Sequence, residues 1–360
     1  MSTKFELTRR DLLLSLPALA VARKAFAQAG APTLRARGLS QMTLSVSDVK
    51  RSLDFYQGLF GMPIQARQGS TVILRIGAGP SYVALTPASG APSITHLGVA
   101  VENFDVDQVV KTLAAHGVTK AEGEGGGLAG GPMKVRVRMR GPEAGGAREG
   151  TPEIFFADQD GITMQLQDPK YAGGAGKLGD VVKVEASPKK GLLAVKGMSH
   201  FTISANDSTR SNQFYKELFG FGIRSYQGPT APTLAIGPTV EFLMFTGGGG
   251  AARGRAGAAP AAPAPPPRPA SINHSCMNMD GFNVEQVQKA LESVGIKPRE
   301  GNTPGPMQHY ISLRMENRGG AKEGTPELYF TDPDGLLIQL QDSTYCGGGG
   351  YLGNACPPVS

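Results

Sequence analysis

The strongest constraint on this chain is that it contains the same unit twice. Gly131-Pro132-Met133 recurs as Gly305-Pro306-Met307, and from there the two stretches run without a gap to Gln165-Leu166-Gln167-Asp168 and Gln339-Leu340-Gln341-Asp342. Arg148-Glu149-Gly150-Thr151-Pro152-Glu153 matches Lys322-Glu323-Gly324-Thr325-Pro326-Glu327. Upstream, Gln41-Met42-Thr43-Leu44-Ser45 matches His200-Phe201-Thr202-Ile203-Ser204. A repeat of this length implies duplicated folded units. It places domains at 36–175 and 194–354 of the 360 residues.

Each copy reads as strand, helix, three strands, and then the same again. Val49, Leu53, Tyr56 and Phe60 recur at helical spacing between Asp48 and Gly61. Asp105 opens a second helix through Val106, Val109, Val110 and Leu113 that Gly117 stops. Ser211–Phe219 and Val284–Val294 are the matching helices of the second copy, and 72–75 and 82–85 read as strands. The expected class is α+β, with paired βαβββ modules forming curved mixed sheets and helices on the outer face. Residues 247–270, rich in Gly, Ala and Pro, have no counterpart in the first copy and read as a flexible excursion.

Strand alternation sorts the candidate functional residues. Gln41, Thr43 and Ser45 share one face, and Met42, Leu44 and Val46 the other. His96 falls on the polar side of 96–101. In the second copy His200, Thr202 and Ser204 oppose Phe201, Ile203 and Ala205, and His274, Cys276 and Asn278 share a face. The apolar faces should carry the helices, and the other faces should line a groove.

Composition narrows the setting. The net charge of +6 comes from scattered residues, with no basic block, so nucleic acid is not an expected partner. Thr8-Arg9-Arg10-Asp11-Leu12-Leu13-Leu14, followed by Ala25-Phe26-Ala27, resembles a twin-arginine export signal over 1–30. Its apolar stretch is too short for a membrane span. The mature protein should then be periplasmic or secreted. Cys346 and Cys356 are candidates for a disulfide there, and Cys276 for a buried thiol.

The pattern His-x-Thr-Ile-x-x-x-Asp-x-x-x-Ser-x-x-Phe-Tyr-x-x-x-Phe-Gly, from His200 to Gly220, resembles the vicinal oxygen chelate superfamily. So does Asp332-Pro333-Asp334-Gly335-Leu336-Leu337-Ile338-Gln339-Leu340. Glyoxalases, bleomycin-resistance proteins and extradiol ring-cleaving dioxygenases belong to it. The resemblance implies a divalent-metal site (Fe, Zn, Ni or Mn) at His200, His274 and Gln339, with a weaker set at Gln41, His96 and Gln165. Gln stands at 165 and 339 where the family pattern has Glu, so the site is also compatible with no metal. The dioxygenase members imply a substrate-binding role for Tyr329, and His309 is a candidate second acid–base. Phe155 and Val135 replace these two in the first copy, which therefore reads as scaffold.

Three functions follow from the resemblance: a dioxygenase-like enzyme, a glyoxalase- or epimerase-like lyase or isomerase, and a metal-free small-molecule-binding protein. Glu153 and Glu327 read more simply as strand-edge or turn residues.

Overall fold

A computed structural model describes residues 32–247 and 269–360. The export-signal segment and nearly all of the 247–270 excursion lie outside the described residues.

Each copy forms one nine-stranded mixed sheet. The first copy supplies β1 (Ala36–Val46), α1 (Val49–Phe60), β2 (Ile64–Gln68), β3 (Thr71–Arg75) and β4 (Tyr82–Pro87). Its second module is β5 (Ser93–Val101), α2 (Val106–Ala115), β6 (Thr119–Lys120), β7 (Lys134–Arg140), β8 (Thr151–Ala157) and β9 (Thr163–Gln167). The second copy repeats this as β10 (Gly197–Ser204), α3 (Ser208–Phe219), β11 (Ile223–Tyr226), β12 (Pro232–Ala235) and β13 (Phe242–Thr246). Then come β14 (Ser271–Met279), α4 (Val284–Ser293), β15 (Lys297–Pro298), β16 (Gln308–Arg314), β17 (Thr325–Thr331) and β18 (Leu337–Asp342).

The strand order explains why the candidate residues meet. In the first sheet it is β2-β3-β4-β1-β5-β9-β8-β7-β6, and the second sheet matches it strand for strand. Each helix carries the chain from a module's first strand to the edge of the sheet, and the next strands return it mostly antiparallel until the last lies parallel beside the first. The first strands of the two modules lie antiparallel at the centre, with Thr43 opposite His96 and Thr202 opposite His274. The last strand of each copy pairs in parallel with one of these central strands, and Cys276 lies opposite Gln339.

Local chemistry sets the helix ends. Asp48 accepts from Arg51 N, and Gly61 ends α1 at φ 66°, a left-handed position that favours glycine. In the second copy Asp207 accepts from Thr209 N and Arg210 N, so α3 starts at Ser208 rather than Ser211. The hydrophobic period there begins later than the backbone helix because its first turn is polar.

The helices cover the face of each sheet opposite the groove, and this is the face that meets the other copy. One continuous core spans both copies. Phe60 packs on Phe330 of the second copy with ring centroids 6.2 Å apart, and Phe156 packs on Phe219 at 6.5 Å. Burying each such ring contributes about 1.5–3 kcal/mol. Polar contacts at the boundary are reciprocal. Tyr56 Oη donates to Asp332 at 3.3 Å, and Tyr215 Oη donates to Asp158 at 3.1 Å. Arg51 pairs with Asp334, and Arg210 with Asp160, each at 2.5 Å. The two copies therefore meet through equivalent surfaces, as in a two-fold dimer joined into one chain.

Cys346 and Cys356 form a disulfide, and Cys276 is a buried free thiol. Among the described residues no helix is long and apolar enough to cross a membrane.

Candidate functional site

In the second copy the sheet brings His200, His274, Gln339 and Tyr329 to one groove of about 210 Å³, with Thr202, Arg318 and Glu327 also in its wall. His200 comes from β10, His274 from β14, Tyr329 from β17 and Gln339 from β18. Tyr329 and Gln339 are direct cross-strand partners.

The two imidazoles are oriented differently. His274 Nδ1 lies 2.8 Å from Asn273 Oδ1. An amide oxygen only accepts, so Nδ1 carries the proton and the lone pair is on Nε2. That Nε2 is buried and has no hydrogen-bond partner. His200 Nε2 lies 3.1 Å from Gln339 Oε1, and its Nδ1 lies 3.2 Å from Ser199 Oγ. Here Nε2 donates to the amide oxygen, and the Ser199 hydroxyl donates to Nδ1. The hydroxyl can also accept, so the opposite tautomer is equally satisfied on that side.

Burial holds both rings neutral. It lowers His274 to about 4, and it takes His200 well below its usual value, with His274 adding to the effect. The rings lie edge to face, 5.6 Å between centroids, and His200 stacks on Phe242 at 4.4 Å. Gln339 Nε2 is also buried without a partner.

This donor set fits a divalent cation, although not a tightly held one. It offers two neutral imidazoles and an amide oxygen, and one imidazole has its lone pair already exposed. None of the three carries a negative charge to offset a dication. Among the described residues no three His, Cys, Asp or Glu side chains converge.

Glu327 is the residue that strand-level reading undervalued. It is not at a strand edge or in a turn. It is buried on β17, where Oε1 accepts from Arg314 Nε at 2.7 Å and from Tyr345 Oη at 2.9 Å. Tyr329 Oη donates to its Oε2 at 3.3 Å. Arg314 is itself fully buried and donates to the Gly348 carbonyl at 2.9 Å. Burial and the Glu327 carboxylate push the Tyr329 phenol well above its usual value, so it stays a proton donor. The available signal was that Arg140, Glu153 and Tyr171 recur together as Arg314, Glu327 and Tyr345. Their first-copy bonds are the same: Arg140 Nε and Tyr171 Oη both donate to Glu153 Oε1, at 2.6 Å and 2.5 Å.

His309 does not join the groove. It pairs with Phe330 across β16 and β17, whereas Tyr310 pairs with Tyr329. Successive residues of a strand point to opposite faces, so His309 turns toward the helices. Its Nε2 lies 3.3 Å from Glu292 of α4. The structure therefore places His309 on the other face of the sheet, away from the groove.

The first-copy set is gathered in the same way but, apart from Gln165 Nε2, satisfies itself. Gln41 Nε2 donates to Gln165 Oε1 at 2.7 Å, and Tyr82 Oη donates to Gln41 Oε1. Both nitrogens of His96 lie 3.1 Å from hydroxyls, Nε2 from Thr43 and Nδ1 from Thr95. No lone pair of His96 is left over, in contrast to His274.

The fold is shared with known enzymes. It is similar to the complex of homoprotocatechuate 2,3-dioxygenase from Brevibacterium fuscum with 3,4-dihydroxyphenylacetate, at 17% identity and TM-score 0.57 over 87% of this chain and 82% of that one. It is similar to a catechol 2,3-dioxygenase at 15% identity and TM-score 0.55, over 88% of each chain. It is also similar to the Mn(II)-bound glyoxalase from Novosphingobium aromaticivorans, at 15% identity and TM-score 0.51 over 85% of this chain and 82% of that one. At such identities the likeness is one of fold. The sequence carries the family assignment: residues 38–166 and 197–340 each match the Glyoxalase/Bleomycin resistance protein/Dioxygenase superfamily, so this chain belongs to that superfamily once in each copy.

Proposed function

We propose that the second-copy groove is a divalent-metal-dependent site for a small, oxygen-bearing aromatic or oxygen-rich substrate, nearest in layout to an extradiol dioxygenase. The observation that carries this reading is the buried, unpartnered Nε2 lone pair of His274, held in place by Asn273 beside His200 and Gln339. Leaving such an atom unpaired costs about 1–3 kcal/mol, which a ligand on it would relieve. His200, His274 and the Gln339 carbonyl would hold the cation. When bound, it supplies a Lewis acid for adjacent substrate oxygens.

The chain's own side chains do the rest. The Tyr329 hydroxyl gives its one proton to Glu327 and so presents its oxygen to accept from a substrate hydroxyl. Arg318, an exposed cation in the groove wall, attracts an acidic substituent. Phe242 and Tyr345 flank the His200 ring and keep water from it.

Metal content of the full chain, measured beside His200→Ala and His274→Ala, tests the reading. About one equivalent of transition metal that falls in both variants supports it. Roughly a tenth of an equivalent or less, unchanged in His200→Ala, sinks it.

A second reading is a metal-free binding protein. The His200–Gln339 hydrogen bond favours it, because that bond satisfies His200 with no cation present. Ligand-induced stabilisation that survives a chelator would support it. The site is proposed to work outside the cytoplasm, in the periplasm or beyond. The paired arginines before an apolar stretch support this, as does the Cys346–Cys356 disulfide. Recovery of the protein in a periplasmic fraction, dependent on Arg9 and Arg10, checks it.

A further inference from the structure

The larger groove belongs to the other copy. The first-copy groove holds about 480 Å³, against about 210 Å³ in the second. Pockets that enclose small organic ligands typically run about 300–1,000 Å³, so only the first-copy groove reaches that range. It is also less water-like than its strands suggest, with Phe155 and Leu128 in its wall.

Its polar groups are selective. Most are already satisfied: Gln41 by Tyr82 and Gln165, His96 by two threonines, and Glu153 by Arg140 and Tyr171. Two nitrogen donors are left. Gln165 Nε2 is buried on the groove floor with no acceptor. Arg138 lines the groove with its guanidinium 5.8 Å from the Phe155 ring centroid, and it pairs with no carboxylate among the described residues. Glu143, the one other unpaired charge in the wall, is exposed. Burial lowers His96 to about 4, so the ring is neutral and adds no charge of its own.

A cation over an aromatic ring, with a lone amide donor below, describes the complement of its ligand. The ligand carries an anion at one end, a flat apolar body, and an acceptor oxygen at the other end. The second copy lacks this arrangement: Ser312 stands at the position of Arg138 and Tyr329 at that of Phe155. We propose that the first-copy groove is a second, metal-independent binding site for a small aromatic carboxylate bearing a ring oxygen. Its carboxylate pairs with Arg138, its ring lies against Phe155, and its oxygen accepts from Gln165 Nε2. This site is independent of the metal reading of the second copy.

Calorimetric titration of the full chain in excess EDTA tests it, with 4-hydroxybenzoate and 3-hydroxybenzoate as probes and 4-hydroxybenzamide as the neutral comparison. Arg138 is exposed, so Arg138→Gln should fold, and an unchanged Tm confirms it. The expected result is saturable binding of a hydroxybenzoate that weakens about tenfold or more in Arg138→Gln, while the amide changes by about twofold or less. Arg148→Gln, an exposed first-copy arginine that lines neither groove, should leave it unchanged. Absence of saturable binding of either acid up to about 10 mM overturns the proposal, since a paired charge and a stacked ring exceed that affinity. Equal weakening of acid and amide in Arg138→Gln also overturns it. So does loss of binding in Arg318→Gln instead, which would place the ligand in the other copy.

Discussion

His200 and Gln339 are hydrogen-bonded to each other, Nε2 to Oε1 at 3.1 Å, at the point where two central strands of the second sheet meet the last one. Most of the site's expected behaviour follows from that neutral pair standing where a charged one would bind a dication more strongly.

Replacing the amide with a carboxylate should therefore create a stronger cation site. Gln339→Glu keeps the shape and adds one negative charge beside His200 and His274. We expect metal affinity to rise about tenfold or more. In excess chelator the same variant should be less stable than the wild type, because its carboxylate is buried without a cation. Competition titration with a chromophoric chelator, and Tm with and without metal, measure both effects. An unchanged metal load would mean that the three donors do not converge as ligands.

The boundary between the copies should make stability fall as pH rises. Burial raises Asp158 and Asp332 to about 6, and raises Glu241, which accepts from Leu39 N across the boundary, to about 7. An unfolded carboxyl titrates near 4. A group raised on folding contributes stability that is fully present below its unfolded pKa and is lost as pH rises through its folded one. Each aspartate should thus remove on the order of 2–3 kcal/mol between about pH 4 and pH 7. Urea unfolding across that window reads the slope. It should flatten in Asp158→Asn/Asp332→Asn, which keeps the side-chain oxygens that cap the 158–162 and 332–336 turns. An identical slope in the double variant would remove these residues as its source.

The Arg314–Glu327 pair should be costly to break and cheap to delete. Arg314→Met leaves the Glu327 charge buried without its cation, and should cost about 3–5 kcal/mol. Arg314→Met/Glu327→Leu should recover most of that loss. Comparing the midpoints of the single and double variants decides it. If the double variant is the less stable of the two, the pair itself holds the fold together.

The disulfide closes a short loop at the end of the second copy, its cysteines ten positions apart. Loop-closure entropy predicts that Cys346→Ser/Cys356→Ser lowers stability by about 2–3 kcal/mol. A Tm that does not move, either in the variant or on adding reductant to the wild type, would show that the hydrogen-bonded tail alone is sufficient.

Much of the fold was legible because its signals are local and repeated. The duplication needs only residue identity. Helix α1 announces itself by Asp48, Gly61 and the apolar residues between them. The polar stripe of β1 and β10 follows from a period of two, which also put His200 and His274 on groove-facing positions, whereas Gln339 entered through the family resemblance. The face that His309 takes was not legible, because its strand's phase depends on which residue faces Tyr329, and β16 begins after an irregular Gly-Pro-Met turn. Glu327 was undervalued because its partners, Arg314 and Tyr345, lie 13 and 18 residues away on other segments.

Residue identity along the chain is enough for the tandem architecture and the faces of the central strands, because these depend on residues close together in the chain. What the candidate donors can do is set by their neighbours across the sheets. Asn273 exposes the lone pair of His274, while Thr43 and Thr95 occupy both nitrogens of His96. Tyr82 and Gln165 satisfy Gln41, while Gln165 Nε2 and, among the described residues, Arg138 are left without acceptors. Each of these outcomes is a hydrogen-bond or charge balance settled among neighbouring strands, and the partners on those strands are set by register across the sheet rather than by order along the chain.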